Sequence, residues 1–217
     1  MKTNTKKLTM MAIMAAVAYA VMLLSKQIPV NVLGFLTFDL KDAVICIAGF
    51  LFGPLAAAGI SVLVSVVEMV TVSTTGPWGL LMNVLSTCAF VCCAAVIYRK
   101  DRTMRGAVIG LVSGALLMTA AMLLWNYLIT PIYMGYPREA VAELLIPVFL
   151  PFNLIKAGIN ASLTLLLYKP VVRSLRKAHL VPESQSTAGG RKTGVAIVAA
   201  VLLVTFAVLA LVLAGVI

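Results

Sequence analysis

Residues 43–72 read AVICIAGFLFGPLAAAGISVLVSVVEMVTV, and the number of times this run crosses a membrane decides the fold. It holds about 30 residues, whereas one crossing needs about 20. Gly53–Pro54 interrupts it, and proline breaks or starts a helix because it lacks an N–H and clashes with the preceding turn. Charge then fixes the count. Apart from Lys26, Lys41, Arg138 and Lys156, the 17 Lys and Arg fall into three clusters between apolar runs: Lys2, Lys6, Lys7; Arg99, Lys100, Arg102, Arg105; and Lys169, Arg173, Arg176, Lys177, Arg191, Lys192. Such clusters mark cytoplasmic loops. With the N-terminus inside, splitting the run in two keeps all three clusters inside, whereas one crossing puts two of them outside. Two segments follow, 43–53 and 54–72.

The composition agrees that lipid is the solvent. Of 217 residues, 62% are hydrophobic and 11% charged, where a soluble domain carries about a quarter charged. A net charge of +10 could suggest nucleic acid, but the cations lie in loops rather than on one binding face. Cys46, Cys88, Cys92 and Cys93 sit in apolar stretches with no CxxC pair, which excludes a metal or disulfide framework and leaves thiols packed as small hydrophobes. The first apolar run lacks a small-x-small cleavage site and is kept as a membrane helix rather than a signal peptide.

The remaining segments are 8–25, 78–98, 106–131 and 147–168. Residues 1–177 thus form a six-segment membrane domain, followed by a polar linker over 178–193 and a seventh segment over 194–217. The linker is rich in Ser, Gly, Pro and Thr, a flexible composition. The seventh segment is almost all Ala, Val and Leu with only Thr205 as a polar handle, an anchor rather than a site. Segment 43–53 reaches only about 16 Å at 1.5 Å per residue, too short for a hydrocarbon core of about 30 Å. Loop 28–41 (IPVNVLGFLTFDLK) must complete it on the outer side. Irregular backbone at membrane depth is tolerated only against protein or a water-filled cavity, so this pairing points to a ligand cavity.

Polar groups inside a span are costly and mark function. Asn153, Lys156, Asn160 and Thr164 share one helix face, with Asn153 and Lys156 toward the outer leaflet. An amide beside an ammonium offers donors and an acceptor to a polar heterocycle. Asn126, between Trp125 and Tyr127, is not explained by an interfacial aromatic belt. Asn83, Ser86 and Thr87 share a face of the fourth segment. Glu68 reads as the sole acid within a span, either paired with a cation or solvated at the boundary. Ala12, Ala16 and Ala20 make a small-xxx-small face on which another helix, internal or foreign, can pack closely. No phosphate loop exists, Gly189–Gly190–Arg191–Lys192–Thr193 having the wrong spacing, and His179 has no catalytic partners. No chemistry is indicated, and uphill transport would need partners.

Phe38–Asp39–Leu40–Lys41–Asp42 followed by Ala48–Gly49–Phe50–Leu51–Phe52–Gly53–Pro54–Leu55 resembles the loop-to-second-helix stretch of energy-coupling-factor (ECF) S components. Trp125–Asn126–Tyr127, Thr130–Pro131–Ile132–Tyr133 and Pro151–Phe152–Asn153–Leu154–Ile155–Lys156 resemble its riboflavin-specific, RibU-type branch. The resemblance spans about residues 8–177. It implies an all-α, six-helix S-component bundle in the bacterial cell membrane, here with an added C-terminal transmembrane helix. It further implies riboflavin as the transported ligand, bound near the extracellular side, with no cofactor. Asn153, Lys156 and Asn126 would contact the isoalloxazine ring, and Leu36, Thr37 and Phe38 of loop 1 would add backbone and apolar contacts. Ala12, Ala16 and Ala20 would dock on a transmembrane coupling subunit driven by two cytoplasmic ATPases. An S component for another vitamin or flavin precursor, or a membrane scaffold without a small ligand, is the alternative.

Overall fold

The computed structural model describes residues 2–28, 30–34, 36–178, 180 and 192–216. Eight α-helices carry the fold: α1 (Lys2–Lys26), α2 (Lys41–Phe52), α3 (Pro54–Thr71), α4 (Gly76–Lys100), α5 (Met104–Met134), α6 (Arg138–Leu144), α7 (Leu150–Lys177) and α8 (Lys192–Leu213). Among the described residues, six stretches are long and apolar enough to cross a membrane: Thr5–Lys26, Pro54–Thr71, Gly76–Lys100, Met104–Met134, Arg138–Lys177 and Gly194–Leu213. Helix α2, at 12 residues, is not among them, as its short apolar run predicts. Of the proposed linker, residues 179 and 181–191 lie outside the described residues, as does most of the Gly189–Thr193 stretch.

The break that splits the long run is a single residue. Gly53 stands at φ 95° between the end of α2 and Pro54 at the start of α3; only glycine takes this backbone without a Cβ penalty, and proline suits a first helical position. Loop 28–41 is more ordered than irregular backbone: β1 (Asn31–Val32) and β2 (Leu36–Thr37) pair antiparallel, Val32 opposite Leu36. Several helices outrun their apolar cores. α1 starts at Lys2, α5 continues through Pro131 to Met134, and α7 continues through Pro170 to Lys177.

Helix α2 sits centrally, against α1, α3, α4 and α7. Gly49 lets it approach closely: a Cβ there would lie 3.2 Å from both Ala57 and Ala95. Helices α4 and α5 meet through Gly110 and Gly114, where a Cβ would run into the carbonyls of Ala94 and Phe90. In lipid, where apolar burial does not drive association, such small-residue seams let backbones pack. Phe50 of α2 stacks on Tyr98 of α4 at 4.3 Å, and the Tyr98 and Tyr168 hydroxyls bond at 2.8 Å, tying α2, α4 and α7 together at the end remote from loop 28–41. Helix α8 lies along α7, with the Phe206 ring over Gly158, where any Cβ would collide with it. Thr205 bonds its own helix at Val201 O, 2.9 Å.

Between α6 and α7 the chain makes one π-turn, Leu145–Phe149, containing Pro147. Pro147 and Pro151 both lack the N–H of the helical ladder, and the wider turn accommodates the loss. Such π-turns recur at functional sites; this one leads into the first two turns of α7, which carry Asn153 and Lys156.

Candidate ligand-binding site

The first turns of α7 face loop 1. Phe38 lies against Phe152, ring centroids 4.7 Å apart. Asp39 Oδ2 accepts from Lys156 Nζ at 2.9 Å, and the Asp39 carbonyl accepts from Asn160 Nδ2 at 3.0 Å. Asn160 Oδ1 in turn accepts from the Ala43 N–H at 2.9 Å. That bond caps α2, whose N-terminus has no side-chain cap of its own, from another helix, and is shorter than the 3.3 Å bond the same N–H makes to Leu40 O. From the other side, Ser25 Oγ of α1 accepts the Leu40 N–H at 3.2 Å. Residues 38–40 thus strap loop 1 to α7 and α1, and Val32 and Leu36 pack into the same buried cluster as Phe152 and Ile155.

Around these contacts lies a buried charge chain. Lys41 Nζ bridges Asp39 Oδ2 (3.4 Å) and Glu68 Oε2 (3.1 Å), and Lys26 Nζ meets Glu68 Oε1 at 2.9 Å. Asn83 Nδ2 donates to Glu68 Oε2 at 3.0 Å, and Thr87 Oγ1 to Asp42 Oδ1 at 2.7 Å. Asp39, Lys41, Asp42 and Glu68 are all buried. Glu68 is thus a paired acid, and it is not alone within the helices, because Asp42 is also a buried helical acid; the sequence expectation of a sole acid is corrected here. Asn83 and Thr87 of α4 thus bond to these acids. Burial alone would raise the carboxyl of Asp39, which lies in the loop outside the helical spans, but the ammonium groups of Lys156 and Lys41 outweigh it and hold it at about 2.

The expected site residues fall as follows. Asn153, Lys156, Asn126, Leu36 and Phe38 are buried, and Thr37 is half-buried. Asn153 Nδ2 donates to Phe149 O and Asn126 Nδ2 to Met122 O, each at 2.7 Å, while Asn126 Oδ1 accepts from Thr130 at 2.9 Å. Each amide donates an N–H to a carbonyl of its own helix, which fixes its rotamer. Lys156 and the loop are brought into contact; Asn126 keeps its bonds within α5. Asp39 Oδ1 and Trp125 Nε1 are buried with no hydrogen-bond partner among the described residues. Tyr127 is exposed and Arg138 lies over its ring at 5.6 Å, the interfacial role that Trp125, packed against the core, does not play. Ala12, Ala16 and Ala20 lie together on the exposed face of α1, whereas Ala15 and Ala18 are buried.

Asp39 and Lys41 were not picked out as site residues by sequence, although the signal exists: charges placed directly before a run too short to span must be buried with it.

The match to known proteins follows this geometry. Residues 6–168 match the family model described as ECF transporter, substrate-specific component. The chain belongs to that family. As an S component it has relatives named for a vitamin. The riboflavin transporter FmnP of Bacillus subtilis (strain 168) is 27% identical over 189 residues, covering 82% of this chain and 99% of its own. The riboflavin transporter RibU of Streptococcus thermophilus (strain ATCC BAA-250 / LMG 18311) is 29% identical over 185 residues, covering 81% of this chain and 87% of its own. A solved structure of the S component of a bacterial ECF transporter superposes with a TM-score of 0.68 over 80% of this chain and 99% of that one. At 24% identity this likeness is one of fold. Helix α8 lies beyond the family match.

Proposed function

We propose that this S component binds riboflavin from the extracellular side and delivers it inward, its N-terminus cytoplasmic, in complex with a transmembrane coupling subunit and two ATPases. The observation that carries the reading is the ion pair of Lys156 with Asp39 of loop 1, beside the Phe38–Phe152 ring contact and one helical turn along α7 from Asn153. Isoalloxazine is a flat, largely apolar ring with a polar pyrimidine edge, and it calls for apolar walls plus a few fixed hydrogen-bonding groups. Phe38, Leu36 and Phe152 supply such walls; Asn153, Lys156 and Asn126 supply the polar groups. Thr37 adds a loop contact at the rim. The riboflavin transporters among its relatives support the same ligand. The chain carries no phosphate loop, so ATP-driven coupling falls to partners, and the exposed Ala12, Ala16 and Ala20 face is the surface assigned to docking. The test is to add riboflavin to the purified protein in detergent and follow quenching of flavin fluorescence. Saturable quenching at one site per chain is expected; none at any concentration overturns the assignment.

A further inference from the structure

Asp39 divides its carboxylate unequally. Oδ2 receives both Lys156 (2.9 Å) and Lys41 (3.4 Å), while Oδ1 is buried with no partner among the described residues. Rotating the carboxylate would not relieve this, since both ammonium groups already converge on one oxygen. A buried acceptor left unpaired is costly, and a charged one more so. The backbone around it is also fixed: Phe38 is held by Phe152, the Asp39 carbonyl by Asn160, and the Leu40 N–H by Ser25. The free oxygen is thus held in place, beside an ammonium that has used one of its three N–H donors on Asp39.

An acceptor next to a donor is the complement of an imide, whose edge reads carbonyl, N–H, carbonyl. We infer that Asp39 Oδ1 accepts the ring N–H of the ligand while Lys156 donates to the adjoining carbonyl, so that the site selects ligands with an unsubstituted imide. This rests on the riboflavin assignment above and adds to it a specificity-determining carboxylate. The bond is charge-assisted and about twice as strong as a neutral one. A ligand methylated at that nitrogen loses it and leaves Oδ1 unpaired, the arrangement by which buried polar groups reject analogues most strongly.

The test pairs a change in the protein with a change in the ligand. Affinities of riboflavin and N3-methylriboflavin are measured for the wild type and for Asp39→Asn. The wild type should prefer riboflavin by at least about tenfold. In Asp39→Asn the amide oxygen turns to the two ammonium groups and its NH2 faces the ring N–H, donor against donor. Riboflavin should then weaken while the methylated ligand, which has no N–H to place, changes little, and the preference should collapse. Any general loosening of Lys156 affects both ligands alike and cancels in the ratio. No preference in the wild type, or a preference unchanged in Asp39→Asn, overturns the inference while leaving riboflavin binding intact; absence of riboflavin binding to the wild type would instead fail the function. Should Asp39→Asn not purify, the proton on 15N3-labelled riboflavin bound to the wild type decides: a downfield, exchange-protected resonance is expected, and a free-ligand shift overturns it.

Discussion

Replacing Lys156 with methionine should strip the Asp39 carboxylate of its shorter ion pair and remove one of the ties between loop 1 and α7, leaving the Asn160 bond and the Phe38–Phe152 contact. The magnitude follows from the neighbours. Lys156 Nζ lies 2.9 Å from Oδ2; Lys41 is 3.4 Å away and is shared with Glu68. Removing one partner of a buried pair costs about 3–5 kcal/mol, and because Lys41 remains, the lower end applies. About 3 kcal/mol corresponds to a loss of roughly 6–12 °C in Tm for a chain of this size. Asp39→Asn added to Lys156→Met removes the orphaned charge, and replacing both partners of a buried pair is often close to neutral. The double variant should therefore recover most of the loss. Thermal unfolding of the ligand-free proteins in one detergent reads all four corners of the cycle. Strictly additive losses would refute the coupling of loop 1 to α7 through this pair.

Three further outcomes are expected. Asn153→Ala should weaken riboflavin about tenfold, 1.4 kcal/mol, in fluorescence titrations, and Lys156→Ala at least as much; unchanged affinity would remove either residue from the site. Ala16→Trp, on the exposed face of α1, should leave riboflavin affinity intact and abolish uptake in cells that carry the coupling subunits, with uptake assays and pull-down as readouts. For pH, the Asp39 carboxyl sits at about 2, below its ordinary 3.8. Its depressed value means that its contribution is complete above 3.8 and is lost only as pH falls toward 2, so riboflavin titrations should not show loss of this contribution between pH 8 and 5.

The sequence was most legible where one residue type forces one geometry. Gly53–Pro54 can only divide the run, and the short α2 and its dependence on loop 1 followed from length and charge. The polar stripe of α7 was also visible, because period and polarity agree over Asn153–Thr164. Its division of labour was not: Asn160 serves as a cap for α2 and a strap for Asp39, bonds that reach 117 and 121 residues along the chain. The charges of Asp39, Lys41 and Asp42 look locally like a wet loop, and only the fold reveals that Lys156, Glu68 and Thr87 meet them. The seam that Gly110 and Gly114 of α5 make against α4 was likewise hidden, since close approach depends on what the partner helix presents.

The central claim is that the meeting of α7 with loop 1 is a riboflavin site. Isothermal titration of the purified chain with riboflavin, run beside Asn153→Ala, tests it most directly. The account predicts one saturable site per chain in the wild type and an affinity about tenfold lower in the variant. No heat of binding in the wild type, or identical isotherms for both proteins, would contradict it.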